Sequence, residues 1–254
     1  MASPTHFYEV SLPPVPEDSQ FYSEFSIIGR TVDAVNSFYS VYKSGRTGAR
    51  GGPSTHAQQD LYRAMLIFAC AGLDIFVKQL IRTKLAKLIA ADKKAEGKFK
   101  EHVKRGLGKN DKEVLNTVAL ALIDRNPREI LLADYLESMT SDSLQSVEEL
   151  FKVSDASGLD AKSIFDSEKR NLLKDAFTVR NQIIHEMDIV VAYEGSKKTG
   201  HRTRRQRRAD MMEKHTRAIL DLAQDLFQAY KTRFEEFKIG VDKAVPHSTG
   251  ELTE

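Results

Sequence analysis

Residues 61–81, LYRAMLIFACAGLDIFVKQLI, decide the fold class. Placed at 100° per residue, Met65 to Val77 is apolar on nearly every side, the pattern of a helix running through the centre of a fold. The periodicity predicts a helix over about 56–91. Arg63, Asp74 and Lys78 share its one polar strip. Asp74 and Lys78 stand four residues apart, the spacing of an intrahelical ion pair contributing about 0.2–0.5 kcal/mol; the alternative gives Asp74 a basic partner from another helix. Cys70 reads as a small buried apolar side chain. As the single cysteine it excludes an intrachain disulfide and a cysteine-rich zinc site. The run Met65–Val77 is too short to span a bilayer, so no membrane partner is expected and a cytoplasmic location is.

Upstream, Phe21, Phe25, Ile28, Val32, Val35, Tyr39 and Tyr42 recur at helical spacing. The stretch SGRTGARGGPSTH then interrupts the helix with glycine and proline. Residues 1–20, with Pro4, Pro13, Pro14 and Pro16, read as a flexible arm.

Downstream, the lysine-rich stretch 93–112 predicts a short exposed helix and a loop around GLGKN. Helices are expected at about 111–124, 127–139 (with Pro127 in its first turn) and 143–153, then a loop at SDASGLD. Long helices follow at 167–187 and about 206–238, and residues 240–254 read as a disordered tail. No run rich in Val, Ile and Thr alternates between turn signals, so no sheet is expected. The fold class is all-α: a helical bundle as one domain over 21–239, in which about 93–165 forms a helical elaboration.

The helix at 167–187 breaks its own pattern. Leu172, Leu173, Ala176, Phe177, Val179, Ile183, Ile184 and Met187 make a broad apolar arc, and Lys174, Thr178, Asn181 and His185 a narrow polar stripe opposite. Arg180 falls inside the apolar arc. A guanidinium is costly to desolvate without a partner, so an acid, a second chain or an anionic ligand must meet it. Asn181 and His185 are four apart, close enough for the amide to orient the imidazole. Arg180 lies about 140° around the helix from His185, so a second copy packed through the same face would assemble the pair better than one copy alone. Histidine moves protons at neutral pH and arginine holds phosphate. Together they suit metal-free RNA cleavage by the 2′-hydroxyl, leaving 2′,3′-cyclic phosphate and 5′-hydroxyl ends. Glu186 and Asp188 are expected as a solvated helix end, the alternative being that they tune His185.

The net charge of +2 hides a dense basic loop at 195–208, GSKKTGHRTRRQRR. Lys197, Lys198, Arg202, Arg204, Arg205, Arg207 and Arg208 have no acid among them, which favours an RNA backbone as partner. No aromatic residue is interleaved, so base stacking is not expected there. His201 and His215 have no carboxylate or cysteine at ligand spacing and are read as bystanders.

FTVRNQIIHEMDI resembles the signature of the HEPN superfamily, an Arg and a His separated by four to six residues with a polar residue after the Arg. LYRAMLIFACAGLDIFVKQLI resembles the first core helix of its RiboL-PSP-HEPN-like group. The likeness covers 56–91 and 167–238 well and 93–165 poorly. It implies a helical bundle that dimerises through the motif helices, with Arg180 and His185 catalytic and Asn181 in support. It also implies an endoribonuclease that needs no cofactor, acting as a toxin or in antiviral defence and restrained by an antitoxin or sensor protein. The alternative is a non-catalytic module binding RNA, a nucleotide or a protein partner.

Overall fold

The computed structural model of the chain describes residues 6–45, 54–108, 112–194 and 197–240. Helices α1 (Tyr22–Ser44) and α2 (His56–Leu80) come first. A π-turn at Ile81–Leu85 runs into α3 (Ala86–Ala91), followed by α4 (Lys93–Gly108), α5 (Lys112–Ile123), α6 (Pro127–Thr140), α7 (Val147–Ala156) and the single turn α8 (Ala161–Ile164). Then come α9 (Ser167–Glu186), strands β1 (Ile189–Glu194) and β2 (Lys197–Arg204), and α10 (Ala209–Glu236). The fold class is all-α with one small hairpin.

The central rod starts at a capping box. The Gln58 backbone N–H donates to Thr55 Oγ1 at 3.2 Å, and the Thr55 N–H donates to Gln58 Oε1 at 3.0 Å, satisfying two otherwise orphaned donors. Met65, Leu66, Ala69, Cys70, Leu73, Phe76, Val77 and Leu80 are buried between α1, α10 and α9, but Phe68 and Ile75 of the same run are 48% and 57% exposed, so the helix is covered on part of its circumference and not on every side as the apolar wheel predicts. Gly72 permits the closest approach of α1: a Cβ there would fall 2.2 Å from Thr31 Oγ1. The rod from His56 to Ala91 is 36 residues long and its most apolar window has mean hydropathy 1.8, enough by length and composition to cross a membrane, and half of that window is buried inside the protein. Its apolar reach is therefore longer than the Met65–Val77 run implies. Asp74 does pair with Lys78, at 3.0 Å, and its carboxylate also accepts the Leu144 N–H at 2.6 Å.

Two expectations are corrected. Residues 6–20 are not a loose arm: Phe7 and Tyr8 are buried, and both backbone N–H groups donate to Asn36 Oδ1 at 3.0 Å. The Tyr8 hydroxyl donates to Asp221, Ser11 N–H to Gln224 Oε1 at 2.8 Å, and the Arg217 guanidinium covers the Phe7 ring at 4.2 Å. The arm thus laces α1 to α10. Second, the basic segment is largely a strand. β1 and β2 pair antiparallel from Ile189↔Arg204 to Glu194↔Lys197, with an irregularity between Val191 and Tyr193. The β-branched run Ile189-Val190-Val191 favours that extended backbone. The expected tail lies outside the described residues beyond Gly240.

Candidate functional site

Helix α9 opens on Asp166, whose carboxylate accepts the Lys169 N–H at 2.8 Å, a standard N-cap. Leu173, Ala176, Phe177 and Ile183 are buried on its inner side. On the outer side Lys174, Thr178, Asn181 and His185 are exposed. Arg180 is intermediate, as its place in the apolar arc requires. Its charge acts on the buried Cys70 thiol, which burial pushes up to about 12 and the guanidinium pulls the other way.

The Arg180 Nη1 donates to Asn181 Oδ1 at 2.9 Å. Sequence spacing allots that amide to His185; the structure gives it to the arginine, and among the described residues none hydrogen-bonds to the His185 imidazole. The bond draws the guanidinium out of the apolar arc toward the stripe that carries His185. Arg180 Nε remains buried with no hydrogen-bond partner. An unmet donor on a charged group costs free energy in an isolated chain, and an anion or a second chain removes that cost. Ile184, Met187 and Ile189, at 38%, 64% and 37% exposure, place apolar surface beside it, the composition of a protein contact rather than of a solvated helix end.

The end of α9 is locked by charge. Met187 and Asp188 have φ of 51° and 56°, left-handed values that cost a non-glycine residue about 1–2 kcal/mol each. The Asp188 N–H returns to the Gln182 carbonyl at 3.0 Å. Its side chain is fully buried, which corrects the expectation of a solvated helix end. Arg63 Nε donates to Asp188 Oδ2 at 2.9 Å and Arg207 Nη2 to Oδ1 at 2.6 Å. Arg63 Nη2 also donates to the Arg205 carbonyl at 2.7 Å, and Arg207 Nη2 to Gln182 Oε1 at 2.7 Å. Burial pushes the Asp188 pKa up, but hydrogen bonds from Arg207 and Arg63 outweigh it and hold the carboxyl below the usual carboxylate range. One carboxylate thus ties the motif helix to α2 and to the start of α10. Sequence reasoning missed it, although Arg63 on an otherwise apolar helix was a signal that some acid must come to meet it.

Arg204, Arg205 and Arg208 also lie against acids. Arg204 makes a bidentate pair with Asp60 at 2.6 and 3.1 Å, Arg208 another with Asp210 at 2.6 and 3.1 Å, and Arg205 lies 3.7 Å from Glu186. Arg204, Arg205 and Arg207 do gather around the end of α9, as their place in sequence predicts, but as partly neutralised groups. Lys197, Lys198 and Arg202 lie on β2, and their side chains fall outside the described residues, as does that of His201. His215 is buried with neither ring nitrogen bonded, and desolvation pushes its pKa down. Among the described residues no three metal-ligating side chains cluster.

The RiboL-PSP-HEPN family model matches residues 32–236. The chain belongs to the RiboL-PSP-HEPN family. The matched span runs across 93–165, the α4–α7 region. No curated protein and no solved structure gives a significant match. The HEPN assignment agrees with the all-α bundle and points to ribonuclease or RNA-binding function.

Proposed function

We propose that this HEPN protein is an endoribonuclease that needs no metal, with Arg180 and His185 as catalytic residues and Asn181 as the group that orients Arg180. The observation that carries this reading is Arg180: a half-buried guanidinium with an unmet Nε, held by Asn181 of the stripe that also presents His185 to solvent. In the proposed reaction a histidine takes the proton from an RNA 2′-hydroxyl, and the 2′-oxygen forms a bond to phosphorus. The P–O5′ bond breaks, and the leaving oxygen receives a proton from His185 of the partner subunit. Arg180 stabilises the extra charge on the pentacoordinate phosphate.

The proposed homodimer packs through the motif helices and covers Ile184, Met187 and Ile189; a solution mass equal to one chain at micromolar concentration contradicts it. Lys197, Lys198, Arg202, Arg204, Arg205, Arg207 and Arg208 are proposed to attract the RNA backbone, with Arg204 and Arg208 able to exchange an acid for a phosphate. Such an activity fits a cytoplasmic toxin or antiviral effector restrained by an antitoxin or sensor protein. The test is cleavage of total RNA in EDTA. Wild type is expected to leave 5′-hydroxyl ends, and Arg180→Ala to cut about 10²–10³-fold more slowly. RNA binding without cleavage in both would favour the non-catalytic module.

A further inference from the structure

The exposed stripe of α9 extends further from His185 than the catalytic pair requires. At 100° per residue Arg170, Lys174, Thr178, Asn181 and His185 fall within about 80° of one another. Arg170 to His185 covers about 22 Å of helix at 1.5 Å per residue. All five are exposed or partly exposed, and none of the acids of α9 lies in that arc. At the far end the stripe meets a groove of about 280 Å³ between α7 and α9, lined by Val147, Glu148, Phe151, Arg170 and Lys174.

The groove combines a flat apolar surface with cations. The Arg170 guanidinium lies 5.2 Å from the centre of the half-buried Phe151 ring, while its Nη2 donates to the Phe165 carbonyl at 3.3 Å and its Nε is buried without a partner. Lys174, half exposed, has Glu148 as its counter-ion at 3.2 Å, and Glu148 is itself 68% exposed. A buried pair would be part of the scaffold. This one is single, solvated and easily exchanged, so a phosphate can displace the carboxylate at small cost.

Resting on the ribonuclease reading, we propose that this groove is a second RNA subsite: one base of a single strand stacks on the Phe151–Arg170 pair, its phosphate replaces Glu148 on Lys174, and the strand runs along α9 to His185. Aromatic and guanidinium planes are what unpaired bases stack on. The basic segment near the end of α9 offers phosphate contacts without an aromatic, so the two surfaces would do different work on one strand.

Full-length His185→Ala, expected to cut far more slowly than wild type, serves as the parent for binding measurements with a fluorescent single-stranded oligonucleotide of roughly ten nucleotides. Adding Phe151→Leu, which keeps apolar packing but removes the ring, should weaken binding about tenfold. Lys174→Gln should flatten the dependence of log K on log salt by about 0.7. Glu148→Gln should tighten binding, a sign that a merely structural acid would not give. Oligonucleotides carrying 4-thiouridine at successive positions should crosslink to α7 only when the label lies several nucleotides from the cut. Unchanged binding in all three variants overturns the subsite while leaving the nuclease reading intact. If the parent binds no RNA and wild type cuts none, the nuclease reading fails and takes the subsite with it.

Discussion

Arg207 and Arg180 are both arginines beside the end of α9, and the chain treats them in opposite ways. Arg207 places its guanidinium on the buried Asp188 and on Gln182. Its neighbours Arg204 and Arg208 each take an acid in bidentate fashion. Arg180 has one neutral amide and a bare Nε. Charge that is satisfied inside the chain holds the helix end in place; charge left unsatisfied on a half-buried group is available for a ligand or a partner. Density of arginine in the sequence is therefore no guide to which charge is satisfied; among the described residues the isolated Arg180 of the apolar arc is held by a neutral amide.

The sharpest way to break this contrast is Asp188→Ala. It strands Arg63 and Arg207 in a buried setting and should cost about 3–5 kcal/mol of stability, read as a fall in the urea midpoint. A variant as stable as wild type would show that the cluster is not a clamp. Arg180→Ala should do the reverse. The rate falls by the factor given above, about 2.7–4 kcal/mol in barrier, while the urea midpoint holds or rises because a poorly satisfied donor is gone. A large loss of stability in Arg180→Ala would place it among the scaffold residues.

Titration separates the two kinds of buried group. The Asp188 pKa is lowered in the fold, so its contribution is present above the unfolded value of about 3.9 and is lost as pH falls through the folded value. The clamp should fail only in acid. His215 is also lowered, by desolvation, so below the ordinary histidine value of about 6.5 the unfolded chain binds the extra proton and stability declines as pH falls toward the folded value. His215→Leu should flatten the stability profile below about pH 6.5; a profile identical to wild type would contradict the burial of its neutral ring. The smallest effect is expected from Arg208→Gln. It should leave the urea midpoint unchanged and reduce the salt slope of RNA binding by about 0.7 if that arginine exchanges Asp210 for phosphate.

The helices were legible because their signals are local. The wheel of 56–91 gives a core rod, and the motif helix, expected over 167–187, ends at Glu186. What was not legible depends on partners far away in sequence. Phe7 and Tyr8 look like residues of a proline-rich arm until Asn36 and Gln224, 28 and 216 residues off, receive Tyr8. Asp188 looks solvated until Arg63, 125 residues upstream, reaches it. The hairpin has only three consecutive β-branched residues on β1 and a charged β2, so its pairing carries little signal of its own. At the candidate site the positions of Arg180, Asn181 and His185 were readable from the wheel, but the partner of the amide was not. The i,i+4 rule favoured His185, while the length of the arginine side chain lets it reach its own neighbour.

The most direct test of the central claim compares wild type with His185→Ala on total RNA in EDTA, with 5′-end chemistry as the readout and circular dichroism to confirm that both are folded. The account predicts cleavage with 5′-hydroxyl ends by wild type and a rate lower by about 10²–10⁴-fold in the variant. Equal cleavage by both proteins would contradict it.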